Sequence, residues 1–353
     1  MSRLAYVTPF EPEPHQEDGK MSPSLRRGIR PRLVTGLAGV LVMAGTLTAL
    51  GGCAMTGSDT ENVAPESPLQ YPEFATYPDI PVVENVAYGT AAGQPLLVDV
   101  CLPEDTGDDP EAIKPRAAII SVHGGSWARG DKAALAWRSV CQWFASEGFV
   151  GVSVNYRLVP ASVYPAQISD VRAVVRWLRE PQQVARYTLD PTLIGAFGGS
   201  AGGHLVSLLA TEGSGPLDVG SRVAAVAELS GPTDLTDRAR RNGSIPPEFE
   251  PAVLDFLDCV SLADCAAARV ASPVFRVDST DPPFFIGHSS AEFIPIEQAE
   301  VLATALRGAG VDTEFVTVDG SLHAIALFDD AMRGRIAEFF ARELTNKLPG
   351  VLP

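Results

Sequence analysis

Short apolar runs alternate with amphipathic stretches along most of the chain, after a polar segment that shows no periodicity. Continuous apolar runs between polar or glycine-rich segments are typical of buried strands, whereas helical spacing of apolar positions indicates surface helices. The pattern predicts strands at Val82–Tyr88, Leu96–Leu102, Ala117–Val122, Phe149–Tyr156, Leu193–Phe197, Val223–Leu229, Phe284–Gly287 and Thr313–Val318. It predicts helices at Leu135–Ser146, Ile168–Arg179, Gln298–Arg307 and Ala331–Leu344.

Repeated strand–helix units with apolar strands predict an α/β fold, in which a mostly parallel sheet is covered by helices on both faces. The first two strands are expected to form a hairpin around Ala92-Gly93. Residues 232–275 interrupt the alternation with a polar stretch of helical tendency, and we expect them to form a small cap near the functional site. The body of the protein is predicted to span residues 81–347.

The N-terminal region has the pattern of an export signal. Arginines at 26, 27, 30 and 32 precede Leu33–Leu50, which runs for 18 residues without a charge. The sequence Leu50-Gly51-Gly52-Cys53 then resembles the lipobox of bacterial lipoproteins. The resemblance implies a leader at residues 1–52 and lipid attached to Cys53. The polar residues that follow show little periodicity and predict a flexible stalk at 53–80, and the positive charges before the apolar run predict an extracytoplasmic, membrane-anchored protein. An uncleaved membrane-spanning helix is the alternative, and Met21 is an alternative start.

Composition limits the classes of partner. The chain has 353 residues, a net charge of -16 and a pI near 4.7, which argue against nucleic acid because that partner favours a basic surface. No Cys/His cluster with metal-ligand spacing occurs, so we expect neither a metal nor another cofactor. Cys259 and Cys265 are expected to form a disulfide, whereas Cys101 and Cys141 are expected to be buried small hydrophobic residues.

The segment around Ser200 predicts a serine nucleophile. An apolar run, Leu193–Phe197, leads into the turn, and a helix is expected from Gly203 onward. Gly198 and Gly202 flank the serine at two residues on either side, which lets the strand and the helix cross closely. A strained turn of this kind exposes the hydroxyl above the sheet, beside the N-terminus of the helix.

A serine hydroxyl needs a histidine to accept its proton and an acid to orient that histidine. The chain has five histidines, at 15, 123, 204, 288 and 323. His323 is the predicted base because its loop follows the strand Thr313–Val318, and parallel sheets place their sites at the C-terminal ends of strands. His204 lies one helical turn after Ser200 and is expected to be structural.

Glu292 is the predicted acid. It is the only carboxylate in the loop after Phe284–Gly287, and the chain order Ser200, Glu292, His323 matches that of α/β-hydrolases. Asp319, beside the histidine loop, is the alternative acid.

The segment after the strand Ala117–Val122 predicts an oxyanion hole. Two glycines in its sequence allow backbone N–H groups to face the site. We expect the donors to be the N–H groups of Gly125, Ser126 and Ala201. Three further residues, His123, Gly124 and Trp127, are expected to support this loop, with Trp127 either lining the acyl pocket or packing.

Together, three motifs resemble the hormone-sensitive-lipase-like group of α/β-hydrolase esterases, and their H-G-G-x-W form is closest to its carboxylesterase and arylformamidase branch. They are His123-Gly124-Gly125-Ser126-Trp127, Asn155-Tyr156-Arg157-Leu158 and Gly198-Gly199-Ser200-Ala201-Gly202-Gly203-His204. The resemblance implies an α/β-hydrolase fold with a Ser200–His323 pair, and a structural pairing of Asp170 with Arg157. The chain departs from the group at the acid, where Glu292 replaces the usual aspartate.

These expectations converge on a serine carboxylic-ester hydrolase that works through an acyl-enzyme on small-molecule esters. Two alternatives remain, an amidase or arylformamidase on the same fold and a non-catalytic lipoprotein that binds at the surface. Charged residues in the cap segment, among them Asp237 and Arg238, argue against a lipase with an apolar lid.

Overall fold

A computed structural model of the protein describes residues 75–104 and 114–345. The predicted leader, the lipid attachment site at Cys53 and most of the predicted stalk lie outside the described residues. Within the described ranges, no helix combines the length and hydropathy that crossing a bilayer would require.

Eight strands form one sheet in the order β1-β2-β4-β3-β5-β6-β7-β8. The first two strands and the pair β2–β4 are antiparallel, and all remaining neighbours are parallel. The predicted α/β class is therefore confirmed, as is the hairpin around Ala92-Gly93. The strands are β1 (Val82–Ala91), β2 (Gln94–Cys101), β3 (Arg116–Val122), β4 (Val150–Val154), β5 (Leu189–Gly199), β6 (Ala225–Leu229), β7 (Phe284–Ser289) and β8 (Thr313–Val318).

Helices cover both faces of this sheet, because the parallel strands are apolar on both sides and two large apolar clusters result. The helices are α1 (Leu135–Ser146), α2 (Ala166–Leu178), α3 (Pro181–Tyr187), α4 (Ala201–Ala210), α5 (Asp237–Arg241), α6 (Glu250–Leu257), α7 (Ala266–Val270), α8 (Glu297–Gly308) and α9 (Asp330–Phe340). Short α3 was not expected, and α9 continues as a single π-helical turn to Thr345.

The predicted cap segment, residues 232–275, contains α5, α6 and α7 with two short 3-10 turns. The predicted disulfide between Cys259 and Cys265 is present and closes the loop after α6. Phe256 of this segment stacks on Trp127 at 4.2 Å between ring centroids, so the segment packs directly on the loop that follows β3.

The expectation that Cys101 and Cys141 are free buried thiols was wrong, because they form a disulfide between β2 and α1. The two residues are 40 positions apart in sequence, yet their Cα atoms lie 5.8 Å apart where the helix crosses the strand. Sequence spacing carries no signal for a pair that only the packing of two elements brings together.

Residues 75–80, at the end of the predicted stalk, contact α1. Ser139 donates a hydrogen bond to the Ala75 carbonyl. Gln142 Nε2 donates to the carbonyl oxygens of Tyr77 at 2.9 Å and Ile80 at 3.2 Å. These six residues therefore pack on the body of the protein.

Candidate active site

Ser200 occupies the sharp turn between β5 and α4. Its backbone has φ 56° and ψ -124°, a left-handed conformation that costs a residue with a Cβ atom and persists only where the surroundings enforce it. A Cβ on Gly202 would lie 1.9 Å from the Val122 carbonyl oxygen, and one on Gly198 would lie 2.4 Å from the Gly202 oxygen. Only glycine fits at either position, which explains the sequence pattern around the serine.

His323 and Glu292 meet above the C-terminal ends of β7 and β8. The imidazole Nδ1–H donates a hydrogen bond to Glu292 Oε2, and the Glu292 side chain is fully buried. In the neutral imidazole, a proton on Nδ1 leaves Nε2 with a lone pair that can accept a second proton. About a third of the His323 side chain remains exposed.

Three further groups hold the Glu292 carboxylate. Ser230 Oγ donates to Oε1 at 2.6 Å, and the Ser289 N–H donates to the same oxygen at 3.2 Å. His288 Nε2 also lies 3.1 Å from Oε1 while bonded to the Ile294 carbonyl at 2.8 Å. The glutamate therefore sits in a built polar pocket, which is not the setting of a solvated surface carboxylate.

Ser230 links three loops of the site and was not singled out from the sequence. Besides its bond to Glu292, its hydroxyl accepts the Ala324 N–H at 2.9 Å, and its own N–H donates to the Gly287 carbonyl. Its backbone has φ 56°, as at Ser200. A serine at the end of an apolar strand gives no distinctive sequence signal, so only the folded chain identifies it.

Ser200 and His323 line one cavity of about 400 Å³. Within the described ranges, the Ser200 hydroxyl makes no hydrogen bond. Catalytic hydrogen bonds are often long before substrate binds and shorten in the reacting complex. The lining residues are Gly124, Gly125, Ser126, Arg129, Gly130, Trp137, Gly199, Ser200, Phe293, His323, Ala324 and Ile325.

The loop after β3 lies against Ser200. A Cβ on Gly124 would be 2.9 Å from the Gly199 oxygen and 3.1 Å from Ser200 Cβ, so only glycine permits this approach. Gly125 has φ 115° and Ser126 has φ 51°, and both line the cavity. Ala201 is the first residue of α4, so its N–H is among those that a helix leaves without an intrahelical acceptor.

Trp127 packs inside the protein and does not line the cavity. Its Nε1–H donates to His204 Nδ1 at 3.2 Å, and His204 Nε2–H donates to the Ala271 carbonyl at 2.7 Å. Burial lowers the pKa of His204 to about 4, so the ring is neutral and structural, as predicted. These two hydrogen bonds connect the loop after β3 to α4 and, through Ala271, to the cap segment.

His123 supports the same loop from below. It stacks on Tyr156 at 4.4 Å between ring centroids, and its Nδ1–H donates to the Gly124 carbonyl at 2.8 Å. The predicted pairing of Asp170 with Arg157 is also present, with guanidinium Nη2 at 2.7 Å from the carboxylate. The His123 hydrogen bond and the Arg157–Asp170 ion pair both hold backbone segments near the cavity, although none of these three side chains lines the cavity. No group of three or more metal-ligating side chains comes together in the described ranges.

Comparisons with known proteins agree with this architecture. The model of the BD-FAE family matches residues 99–306, a span that includes Ser200 and Glu292 and ends before His323. Esterase LipQ of Mycobacterium tuberculosis is 30% identical over 266 residues, covering 72% of this chain and 60% of LipQ. Esterase LipC of the same organism is 31% identical over 260 residues, covering 67% of this chain and 62% of LipC. The chain thus spans about 60% of the length of these relatives.

Solved structures give the same fold. A truncated carbohydrate esterase from gut microbiota superposes with a TM-score of 0.63 at 27% identity, covering 75% of this chain and 96% of that one. Esterase 2 of Thermogutta terrifontis superposes with a TM-score of 0.59 at 24% identity, covering 76% of this chain and 95% of that one.

Proposed function

Because the chain belongs to the BD-FAE family of hormone-sensitive-lipase-like α/β-hydrolases, we propose that it hydrolyses carboxylic esters with Ser200 as the nucleophile. The observation that carries this proposal is the His323–Glu292 hydrogen bond at the edge of a cavity that Ser200 also lines. The strained Ser200, the oriented imidazole of His323 and the glycine-rich loop after β3 all line this cavity.

The proposed reaction has two halves. In the first, His323 Nε2 takes the Ser200 proton as Oγ attacks the ester carbonyl, and the N–H groups of Gly125, Ser126 and Ala201 stabilise the oxyanion. The imidazolium returns its proton to the leaving alcohol, which leaves an acyl group on Ser200. In the second half, water attacks the acyl-enzyme, gives a proton to His323, and releases the acid as Ser200 recovers its proton.

Glu292 holds the Nδ1–H tautomer of His323 and stabilises the imidazolium by its negative charge. Its buried carboxylate keeps acceptor capacity for this role because the Ser230 hydroxyl and the Ser289 N–H satisfy the other oxygen. None of these steps requires a group from outside the chain except substrate and water.

Hydrolysis of a p-nitrophenyl acyl ester tests the proposal. Ser200→Ala should lower kcat/KM by about 10⁴-fold or more, because the covalent route is lost. Ser207→Ala is the matched control, since Ser207 lies on the same helix, is buried and does not line the cavity. Comparable turnover by wild type and Ser200→Ala would exclude Ser200 as the nucleophile.

An N-formyl aromatic amine assayed beside the ester separates an esterase from the alternative arylformamidase, because both reactions use the same serine and differ in the leaving group. If the formamide is hydrolysed faster than the ester, the protein is an arylformamidase. Turnover of neither substrate would favour a non-catalytic surface-binding protein.

The lipid tether at Cys53 is also a proposal, supported by the lipobox-like sequence and by the two disulfides of the body, which persist in oxidising compartments outside the cytoplasm. Mass spectrometry of membrane-extracted protein should find an N-terminal peptide that begins at lipid-modified Cys53. An unmodified Cys53 within a longer peptide would instead indicate an uncleaved span.

A further inference from the structure

The lining of the cavity beside Ser200 includes one permanently charged residue, which is basic, and no acidic residue. Among its lining residues, Arg129 alone has a fixed charge and none is a carboxylate. The chain as a whole has 43 acidic and 27 basic residues, so a cavity lined by a basic residue and no acidic one differs from the net negative charge of the protein. Glu292, whose carboxylate is bonded to His323, has a fully buried side chain and does not line the cavity.

Arg129 is held close to the loop that contains the expected oxyanion donors. Its N–H donates to the Gly125 carbonyl at 3.1 Å. A Cβ on Gly125 would lie 2.2 Å from the Arg129 carbonyl oxygen and 2.9 Å from Arg129 Cγ. The backbone and the first part of the side chain are therefore packed on Gly125, so the arginine side chain starts at the rim of the cavity that both residues line.

The guanidinium group of Arg129 has no hydrogen bond, ion pair or ring contact with any residue in the described ranges, and the residue is exposed. Two arginines near the same loops do have partners: Arg157 pairs with Asp170, and Arg138 pairs with Glu84 and Asp99. A guanidinium presents a planar fork of donors that matches a carboxylate in two parallel hydrogen bonds. Arg129 thus offers an unused anion-binding group at the site of proposed reaction.

We propose that Arg129 binds a carboxylate on the substrate, so that the enzyme prefers esters that carry a second, ionised carboxyl group. The inference rests on the proposed ester hydrolysis at Ser200 and names its substrate class. Trp137 and Phe293 line the same cavity and supply apolar walls for the uncharged part of such a molecule. Aromatic walls beside one cation suit an amphipathic ester with a carboxylate at one end.

Two matched substrate pairs test this proposal and locate the carboxylate. For the leaving group, para-acetoxybenzoate is compared with its methyl ester; for the acyl group, ethyl hydrogen succinate is compared with ethyl valerate. The measured quantity is kcat/KM for the anionic ester divided by that for the neutral ester. Taking this ratio in wild type and variant cancels the intrinsic reactivity of each ester.

Arg129→Gln should lower the ratio by about tenfold in at least one pair, the loss expected for one charge-assisted interaction. Arg335→Gln, which changes an exposed arginine that does not line the cavity, should leave both ratios at the wild-type value. Added salt should reduce the wild-type ratio and leave that of Arg129→Gln unchanged, because salt screens an exposed charge.

The outcomes show separately whether the carboxylate preference and the ester hydrolysis on which it rests are correct. If wild type hydrolyses both members of each pair and Arg129→Gln changes neither ratio, the carboxylate preference is wrong and the esterase proposal stands. If wild type hydrolyses a p-nitrophenyl ester but none of these four esters, the carboxylate preference is wrong and the esterase proposal stands; if it hydrolyses no ester at all, both proposals are wrong.

Discussion

The acid of the proposed site is a glutamate, and the surroundings of Glu292 fit the longer side chain. Its two carboxylate oxygens have different partners: Oε2 accepts the hydrogen bond from His323 Nδ1–H, while Oε1 accepts those from the Ser230 hydroxyl and the Ser289 N–H. A fully buried carboxylate would be costly without such partners. The residue that departs from the usual aspartate therefore has hydrogen-bond partners for both of its carboxylate oxygens.

A graded pair of variants tests this arrangement. Glu292→Gln should lower kcat by about 10²- to 10⁴-fold, because an amide can hold His323 in the wrong tautomer and supplies no negative charge. Ser230→Ala should cost less, about tenfold, because Glu292 keeps its bond to His323 while one support and one partner of the Ala324 N–H are lost. Steady-state hydrolysis of the p-nitrophenyl ester measures both.

Near-ultraviolet circular dichroism of both variants checks that the fold is retained. An unchanged kcat in Glu292→Gln would contradict the role of the acid and would direct attention to Asp319, the alternative that the sequence left open. If Ser230→Ala lowered kcat as much as Glu292→Gln does, the interpretation that Ser230 only supports Glu292 and the Ala324 N–H would be wrong.

At the scale of elements, the apolar runs located all eight strands. Strands β4, β6 and β7 are buried along their full length, which favours apolar residues on both faces, whereas β1 and β8 are only partly buried. The strand ends were less accurate: β5 extends from Leu189 to Gly199, beyond the predicted Leu193–Phe197. Hydrogen bonding to β3 extends β5 past its apolar run. Helix α3 was missed because it has only seven residues, starts at Pro181 and is mostly polar, so it shows no apolar periodicity.

The turn after β6 shows what the sequence could not reveal. Ser230 joins Glu292 to the Ala324 N–H, and the Ser200 N–H donates to the Leu229 carbonyl at 2.8 Å. These bonds join residues far apart in the chain, and neither periodicity nor motif spacing encodes them. The same limit explains the unexpected Cys101–Cys141 disulfide. Motif glycines and Ser200, by contrast, were predictable because local backbone geometry dictates them.

At the scale of the whole molecule, a second buried carboxyl makes stability depend on pH. Glu228 lies on β6 with Oε2 accepting the Gly231 N–H at 2.7 Å, while Oε1 has no partner among the described residues. Burial raises the pKa of Glu228 to about 8, and the nearby Glu292 adds to this effect. The folded protein therefore holds a proton that the unfolded chain releases above about pH 4.5.

Replacing this group should alter the pH profile of unfolding. Because the folded pKa is raised, the wild-type contribution is complete below about pH 4.5 and is lost as pH rises through about 8. Glu228→Gln cannot titrate, so its free energy of unfolding relative to wild type should rise by about 2–4 kcal/mol between pH 5 and pH 8. Urea denaturation of both proteins at pH 5 and pH 8 measures this difference in the free energy of unfolding, and reductant is left out so that the two disulfides stay intact.

Glu338→Gln is the control, because the Glu338 side chain is exposed on α9 and has no partner in the described ranges. A change with pH in Glu228→Gln that is no larger than the change in this control would mean that Glu228 is already ionised in the folded protein at neutral pH. The raised pKa would then be wrong.

Whether Ser200 Oγ is the activated nucleophile is tested most directly by covalent labelling with a fluorophosphonate, whose phosphorus is attacked by the serine oxygen as fluoride leaves. Peptide mass spectrometry should find one phosphonyl group per molecule, on Ser200, and no label on Ser200→Ala. Absence of label on the folded wild-type protein, or a label on a different residue, would contradict the account.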